Sequence, residues 1–242
     1  ALEATSPESG DVMAREQVEA ASAEEVLTVL GQATSRLREK LGESLASIQR
    51  FDVPLPRATT RSLEALNAYA LGVKDGRIVA RLDAIPHLQR AIELDPDFAM
   101  AHASLAAIYR NTGRSTEAAP IAQRAFELRD RVSERERFFI SSRYYMDTAQ
   151  AWDKALELGT SWTRTYPREA FAFNYLGLAL ASFGQHERAV DAFREAMRID
   201  ARFVPPYANL AGSLTALNRF DEARGALDEA TRHGVDFISL QP

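Results

Sequence analysis

Residues 173–201 read FNYLGLALASFGQHERAVDAFREAMRIDA, and the fold turns on this stretch. Its first half places Phe173, Leu176, Gly177 and Leu180 at intervals of three and four, which is one apolar face of a helix. Gly184 then breaks the pattern. The second half sets Ala189, Val190, Phe193, Ala196 and Met197 on one side and Glu187, Arg188, Asp191, Arg194 and Glu195 on the other. The spacing predicts a helical hairpin whose tiny residues (Gly177, Ala189, Ala196) mark points where two helix backbones touch. A lone hairpin cannot bury both of its faces, so the unit should recur.

It does. One small column reads Ala84, Ala118, Ala155, Ala189, Ala223, at spacings of 34, 37, 34 and 34. A second reads Gly72, Ala106, Arg143, Gly177, Ala211, and a third Ala91, Ala125, Trp162, Ala196, Ala230. A large apolar column runs Leu71, Leu105, Ser142, Leu176, Leu210. These columns resemble the tetratricopeptide repeat, a 34-residue helix-turn-helix with small residues at its positions 8, 20 and 27. Pro96 and Pro167 stand near its position 32. The resemblance covers residues 64–235 in five units. It implies an all-α fold, a right-handed superhelix of about five helix-turn-helix repeats over residues 62–235.

The third unit departs from the pattern. Three extra residues precede it, around Arg129 to Arg135, and Arg143 and Trp162 replace small residues. An arginine where helices touch must either reach out to solvent or hold the pair apart. A local change of superhelical pitch is therefore expected, and Arg143→Ala should be nearly neutral or stabilising. Pro86 and Pro120, both at position 22, are tolerable only near a first turn, so their helices should start late or with a distorted turn. Ser62 is the expected N-cap of the first repeat, and Asn218 stands where the fifth unit turns, accepting a left-handed backbone nearly as well as glycine does.

Upstream, residues 22–61 read as a helix or helices followed by a proline-containing connector, and residues 1–21 as a separate segment. Ser6 to Asp11 is dense turn chemistry. Asp11 to Ala20 is open to two readings: Val12, Ala14 and Val18 alternate like a strand, whereas Ala14 to Gln17 favour a helix by propensity. Ser22 followed by Glu25 has the form of a capping box, and Val26, Leu27, Leu30, Ala33, Leu37 and Leu41 give the following helix one apolar stripe ending at Gly42. Leu45, Ala46 and Ile48 suggest a further short helix, and Phe51 to Pro56 an extended connector. The string from Leu37 to Gly72 resembles a segment of large multi-domain bacterial regulators, in which a serine/threonine kinase or winged-helix domain precedes a tetratricopeptide region. That resemblance implies a β-hairpin remnant of a preceding domain at residues 1–20, and a chain that is a fragment or truncated homologue. No glycine-rich phosphate loop, His-Arg-Asp or Asp-Phe-Gly string is present, so it implies no kinase activity.

Composition narrows the chemistry. The 242 residues are 46% hydrophobic, with 34 acids against 29 bases and a net charge of −5. The charges alternate finely along the helices, as on solvated faces, and form no nucleic-acid footprint. There are no cysteines, which excludes disulfides, thiol nucleophiles and cysteine-ligated zinc. The longest apolar run, near Leu176 to Phe183, is far short of the ~20 residues of a membrane span. With no basic n-region opening the chain, a soluble protein is expected, cytoplasmic unless a membrane span precedes it in a longer parent. His87, His102, His186 and His233 show no i,i+4 pairing with a third ligand. Acid pairs such as Glu24-Glu25 and Glu134-Glu136 read as cap chemistry and solvated faces, and Ser141-Ser142 lacks a glycine elbow or paired base. No enzyme activity, metal or cofactor is expected.

Binding is the expected function. Stacked hairpins rotate slightly from unit to unit, giving an extended concave groove. In the family, positions 2, 5, 6, 9 and 12 face it. Carried over, these positions give Leu66, Tyr69 and Val73; Met100, Ala103 and Arg110; Arg137, Ile140, Tyr144 and Asp147; Phe171, Asn174 and Leu178; and Asn209, Gly212 and Thr215. The two asparagines could hydrogen-bond an extended peptide, while Tyr69, Tyr144 and Phe171 could equally pack between neighbouring units. Tetratricopeptide domains that grip chaperone tails use lysine at 5 and asparagine at 9, asparagine at 6 of the next repeat, then lysine at 2 and arginine at 6. The first frame here offers Tyr69, Val73, Ser104, Arg137 and Ser141; the second Ala103, Ala107, Ser141, Phe171 and Tyr175; the third Ile140, Tyr144, Tyr175, Pro205 and Asn209. None supplies the clamp. Two readings stand: a scaffold that docks a protein or peptide partner, without nucleic acid or membrane contact, and a regulatory domain that senses a ligand or dimerises through exposed array ends. The tail 236–242, with Phe237, Ile238 and Leu240, either folds back on the last hairpin, leads into further repeats, or meets a second chain.

Overall fold

The computed structural model describes residues 2–5, 11–22, 25–42, 60–73 and 82–232. The expected short helix near 45–48, the connector at 51–56 and the tail 236–242 lie outside the described residues.

Leu2–Thr5 (β1) and Val12–Glu16 (β2) pair antiparallel, so alternation prevails over helix propensity at the start of the chain. A cross-strand ion pair joins Arg15 to Glu3. A hairpin this short is marginal alone, and helix α1 (Val26–Lys40) packs on it. Lys40 Nζ donates to the Arg15 carbonyl (3.0 Å) and pairs with the Glu16 carboxylate (2.7 Å). The capping box expected at Ser22 does not form. The Glu25 amide instead donates to the Ser22 carbonyl (3.2 Å), closing a turn, and the helix starts one residue later.

The repeats follow as five hairpins: α2 (Leu63–Gly72) with α3 (Ile85–Leu94), α4 (Ala99–Asn111) with α5 (Ser115–Glu127), α6 (Glu134–Arg143) with α7 (Trp152–Thr165), α8 (Ala170–Ser182) with α9 (His186–Ile199), and α10 (Pro205–Ala216) with α11 (Phe220–Arg232). The fold is an all-α superhelix of tetratricopeptide type. Ser62 caps α2, its hydroxyl accepting from the Ala65 amide (3.1 Å). Ser133 and Glu136 form a reciprocal capping box on α6. Hairpin turns pass through one left-handed residue: Gly113, Gln150, Gly184 and Asn218. Beyond it, the amides of Arg114, Gln185 and Arg219 close on the carbonyls of Tyr109, Leu180 and Leu214 at 2.8–3.0 Å.

The two prolines behave differently. A 3₁₀ turn (Leu82–Ala84) precedes α3 and puts Pro86 in its first turn, where no amide is needed. Pro120, however, lies six residues into α5, which starts on time at Ser115. The ring removes the bond to the Thr116 carbonyl, but both residues are exposed, so that carbonyl is open to solvent.

Packing rests on the small columns. Ala84, Ala118, Ala155, Ala189 and Ala223 are all buried, as are Ala91, Ala125, Ala196 and Ala230. Gly177 is the tightest contact: a Cβ there would stand 2.5 Å from the Phe193 ring. The three extra residues before the third repeat are taken up around the 3₁₀ turn Arg129–Arg131.

Candidate interaction surface

Among the later repeats, the first helices α4, α6 and α8 each pack on the next first helix, whereas consecutive second helices do not do so to a comparable extent. The first helices therefore lie on the inside of the curve. Helices α8 (AFAFNYLGLALAS) and α10 (PPYANLAGSLTA) contain no charged residue, while α6 (ERERFFISSR) contains five.

Not every residue expected in the groove is available there. Ala103, Ile140 and Asn174 are buried. Asn209 Nδ2 donates to Asn174 Oδ1 (2.9 Å), so the asparagines bridge two repeats. The aromatic residues also serve the joints. Tyr69 tilts against Phe98 with ring centroids 4.9 Å apart, and its hydroxyl lies 3.3 Å from Ser104 Oγ. Phe171 meets Phe203 at 4.3 Å, and Tyr144 stacks on Phe126 at 4.0 Å. Val73, Met100, Arg110 and Leu178 are half-buried; Thr215 is exposed, its hydroxyl bonded to the Ala211 carbonyl (2.8 Å). The columns thus contain both joint and surface.

Charge concentrates at the third repeat. After α6 the backbone widens into a π-helical turn, Tyr144–Thr148, in which the Ala149 amide reaches back to the Tyr144 carbonyl (2.9 Å). The closing bond is displaced too, from the Ala151 amide to the Tyr145 carbonyl (2.8 Å). This turn carries Asp147. Arg143 Nη2 pairs with the Asp147 carboxylate at 2.9 Å, and Arg143 Nη1 donates to the Tyr175 hydroxyl at 3.1 Å. Arg143 therefore neither reaches solvent nor acts as a bare prop; it is a half-buried tie between the third and fourth repeats. Burial raises the Tyr175 hydroxyl above the usual tyrosine value, so it stays a neutral phenol. From the second repeat, Arg110 Nη1 donates to the Asp147 carbonyl, with Nη2 3.9 Å from the Asp147 carboxylate.

Beside this cluster lies a cavity of about 30 Å³, room for roughly one water. Its lining includes Ala106, Ala107, Ala118 and Ala122 together with Arg110, Arg143, Tyr144 and Asp147. Its cause is local: Ala106 and Ala122 occupy two facing columns that hold a glycine and a large residue in the first and fourth repeats. Sequence columns read singly gave no notice of the cavity, of Tyr175 as a partner for Arg143, or of the π turn.

Other chemistry is sparse. Among the described residues no three His, Asp or Glu side chains gather as metal ligands, and no helix is long and apolar enough to cross a membrane. His102 Nε2 lies 2.9 Å from the Pro96 carbonyl, and Ser141 and Ser142 are buried.

Profiles of the tetratricopeptide repeat match residues 87–119, 142–202 and 180–241. The small glutamine-rich tetratricopeptide repeat-containing protein 2 of Mycosarcoma maydis is 30% identical over 97 residues, 40% of this chain and 24% of that protein. The peroxisomal targeting signal receptor of Saccharomyces cerevisiae is 32% identical over 80 residues, 33% of this chain and 13% of the receptor. The matched stretches are thus less than a quarter of either relative's length. Similar solved structures include MamA from Desulfovibrio magneticus RS-1 (14% identity, TM-score 0.43, covering 72% of this chain and 96% of that one) and Pseudomonas aeruginosa pilF (19%, 0.46, 73% and 79%). With small columns buried in five successive hairpins and repeat profiles together matching more than half of the chain, the chain belongs to the tetratricopeptide-repeat family.

Proposed function

We propose that this chain is a non-catalytic interaction module that docks a segment of a protein partner along its concave face, over the third to fifth repeats. The observation that carries the reading is the absence of charge on α8 and α10, although Phe171 and Leu178 are only half-buried and Ala208, Gly212 and Thr215 are exposed. Exposed helix faces are ordinarily charged, and an uncharged strip inside a curved array suits an apolar partner segment. The yeast relative is, by its name, a receptor for a targeting signal. On the resemblance of residues 37–72, the module serves as the regulatory part of a larger bacterial signalling protein. Small-molecule pockets hold about 300–1,000 Å³, and the pocket beside Arg110 and Arg143, at about 30 Å³, is too small to be one.

Site-specific photo-crosslinking tests the reading. A benzophenone side chain at Leu178 should capture a discrete protein partner, and one at the exposed, outward Arg194 should not. Equal capture from both positions, or none from Leu178, would remove the groove from the account.

A further inference from the structure

The charged cluster at the joint of the second and third repeats is not used by the reading above. We infer that Arg110, Arg143 and Asp147 form the recognition point for a carboxylate side chain of the docked segment, an inference that rests on docking in the groove.

Two guanidiniums share one carboxylate there, which leaves a positive excess on the inner face of a chain whose net charge is −5. The two arginines are not equivalent. Arg143 is committed on both sides, to Asp147 and to Tyr175. Arg110 keeps 39% of its side chain exposed and stands 3.9 Å from the Asp147 carboxylate, beyond hydrogen-bond length. Its firm contact is to the Asp147 carbonyl. A guanidinium has five N–H donors in a planar fork suited to a carboxylate, so Arg110 retains donors for an incoming acid. The cavity beside it has alanine walls and room for a water or a methylene group, which suits the aliphatic stem of the same side chain.

The surroundings define the partner further. Away from the cluster, α8 and α10 offer no charge. The favoured segment therefore carries an acidic residue at one end and an uncharged, largely apolar run after it. The site lies at positions 12 and 8 of neighbouring repeats and uses none of the lysine and asparagine positions of the chaperone-tail clamp.

The test uses two fluorescent peptides blocked at both ends, a single glutamate followed by alternating leucine and serine, and its glutamine counterpart. Fluorescence anisotropy on the full chain should show the glutamate peptide binding about tenfold more tightly, with the advantage shrinking as salt rises. Arg110→Gln should abolish the preference with an unchanged circular dichroism spectrum, and Arg110→Lys should restore part of it. Equal binding of both peptides, absence of binding, or full preference in Arg110→Gln overturns the inference, as does stronger binding of a free C-terminal carboxylate than of the blocked glutamate peptide. Loss of preference alone, with Leu178 still cross-linking a partner, defeats the carboxylate site and spares the docking reading. An Arg110-dependent preference that Leu178→Glu leaves untouched does the reverse.

Discussion

The third and fourth repeats place opposite residues in the same three columns. The fourth has Gly177, Phe193 and Ala196; the third has Arg143, Gly159 and Trp162. In the fourth, glycine is required because the Phe193 ring lies over it, 2.5 Å from where a Cβ would stand. In the third, Gly159 lacks the side chain that Phe193 supplies, and the arginine has room. Trp162 then restores the lost volume, 1% exposed and stacked between Phe138 (5.7 Å) and Tyr175 (5.9 Å). The first repeat repeats the logic of the fourth, with the Gly72 Cβ position 3.1 Å from Leu88. The second has alanine in both columns, and the cavity opens there. The repeat is therefore specified by paired volumes, not by a roster of small positions.

Four substitutions would break or sharpen this comparison. Trp162→Ala should cost the most, about 3–5 kcal/mol, because nothing else fills its site; urea unfolding followed by circular dichroism measures it. Gly177→Leu should cost about 1–3 kcal/mol or more by driving a side chain into Phe193. Arg143→Ala comes next at about 1–2 kcal/mol, since it strips the buried Tyr175 hydroxyl of its partner. A neutral or stabilising Arg143→Ala, as the single column suggests, would show that the arginine is a tolerated intruder and not a tie. The smallest effect is expected at Gln150, whose φ of +50° stands where the second and fourth repeats have glycine. Gln150→Gly removes strain of about 1 kcal/mol but adds backbone entropy to the unfolded chain, leaving a gain of a few tenths; a loss would mean that the glutamine side chain secures the turn.

The five hairpins were legible because alanine and glycine recur wherever backbones meet, a constraint local enough to survive one-dimensional reading. Residue types alone leave 12–16 open, since alternation and propensity disagree there; only the resemblance implied the hairpin that pairing with residues 2–5 forms. Pro120 misled because its tolerance depends on whether water reaches the Thr116 carbonyl. The capping box of α6 is present in the letters Ser133 to Glu136, where the acid pair reads as cap chemistry. Groove residues were the least legible. Asn174 and Asn209 bond to each other across 35 positions, and a column position cannot say whether its side chain meets solvent or the next repeat. The π turn of residues 144–148 has no signature in residue types.

Both tryptophans of the chain, Trp152 and Trp162, lie on α7. Intrinsic fluorescence therefore reports one hairpin of five, while far-ultraviolet dichroism sums over them all. In an array held by nearest-neighbour interfaces, unfolding need not be all-or-none. If the ends of the array melt before the middle, the ellipticity will fall while the emission still reports a buried indole. A single cuvette, read at two wavelengths during one titration, thus carries its own test of cooperativity along the superhelix.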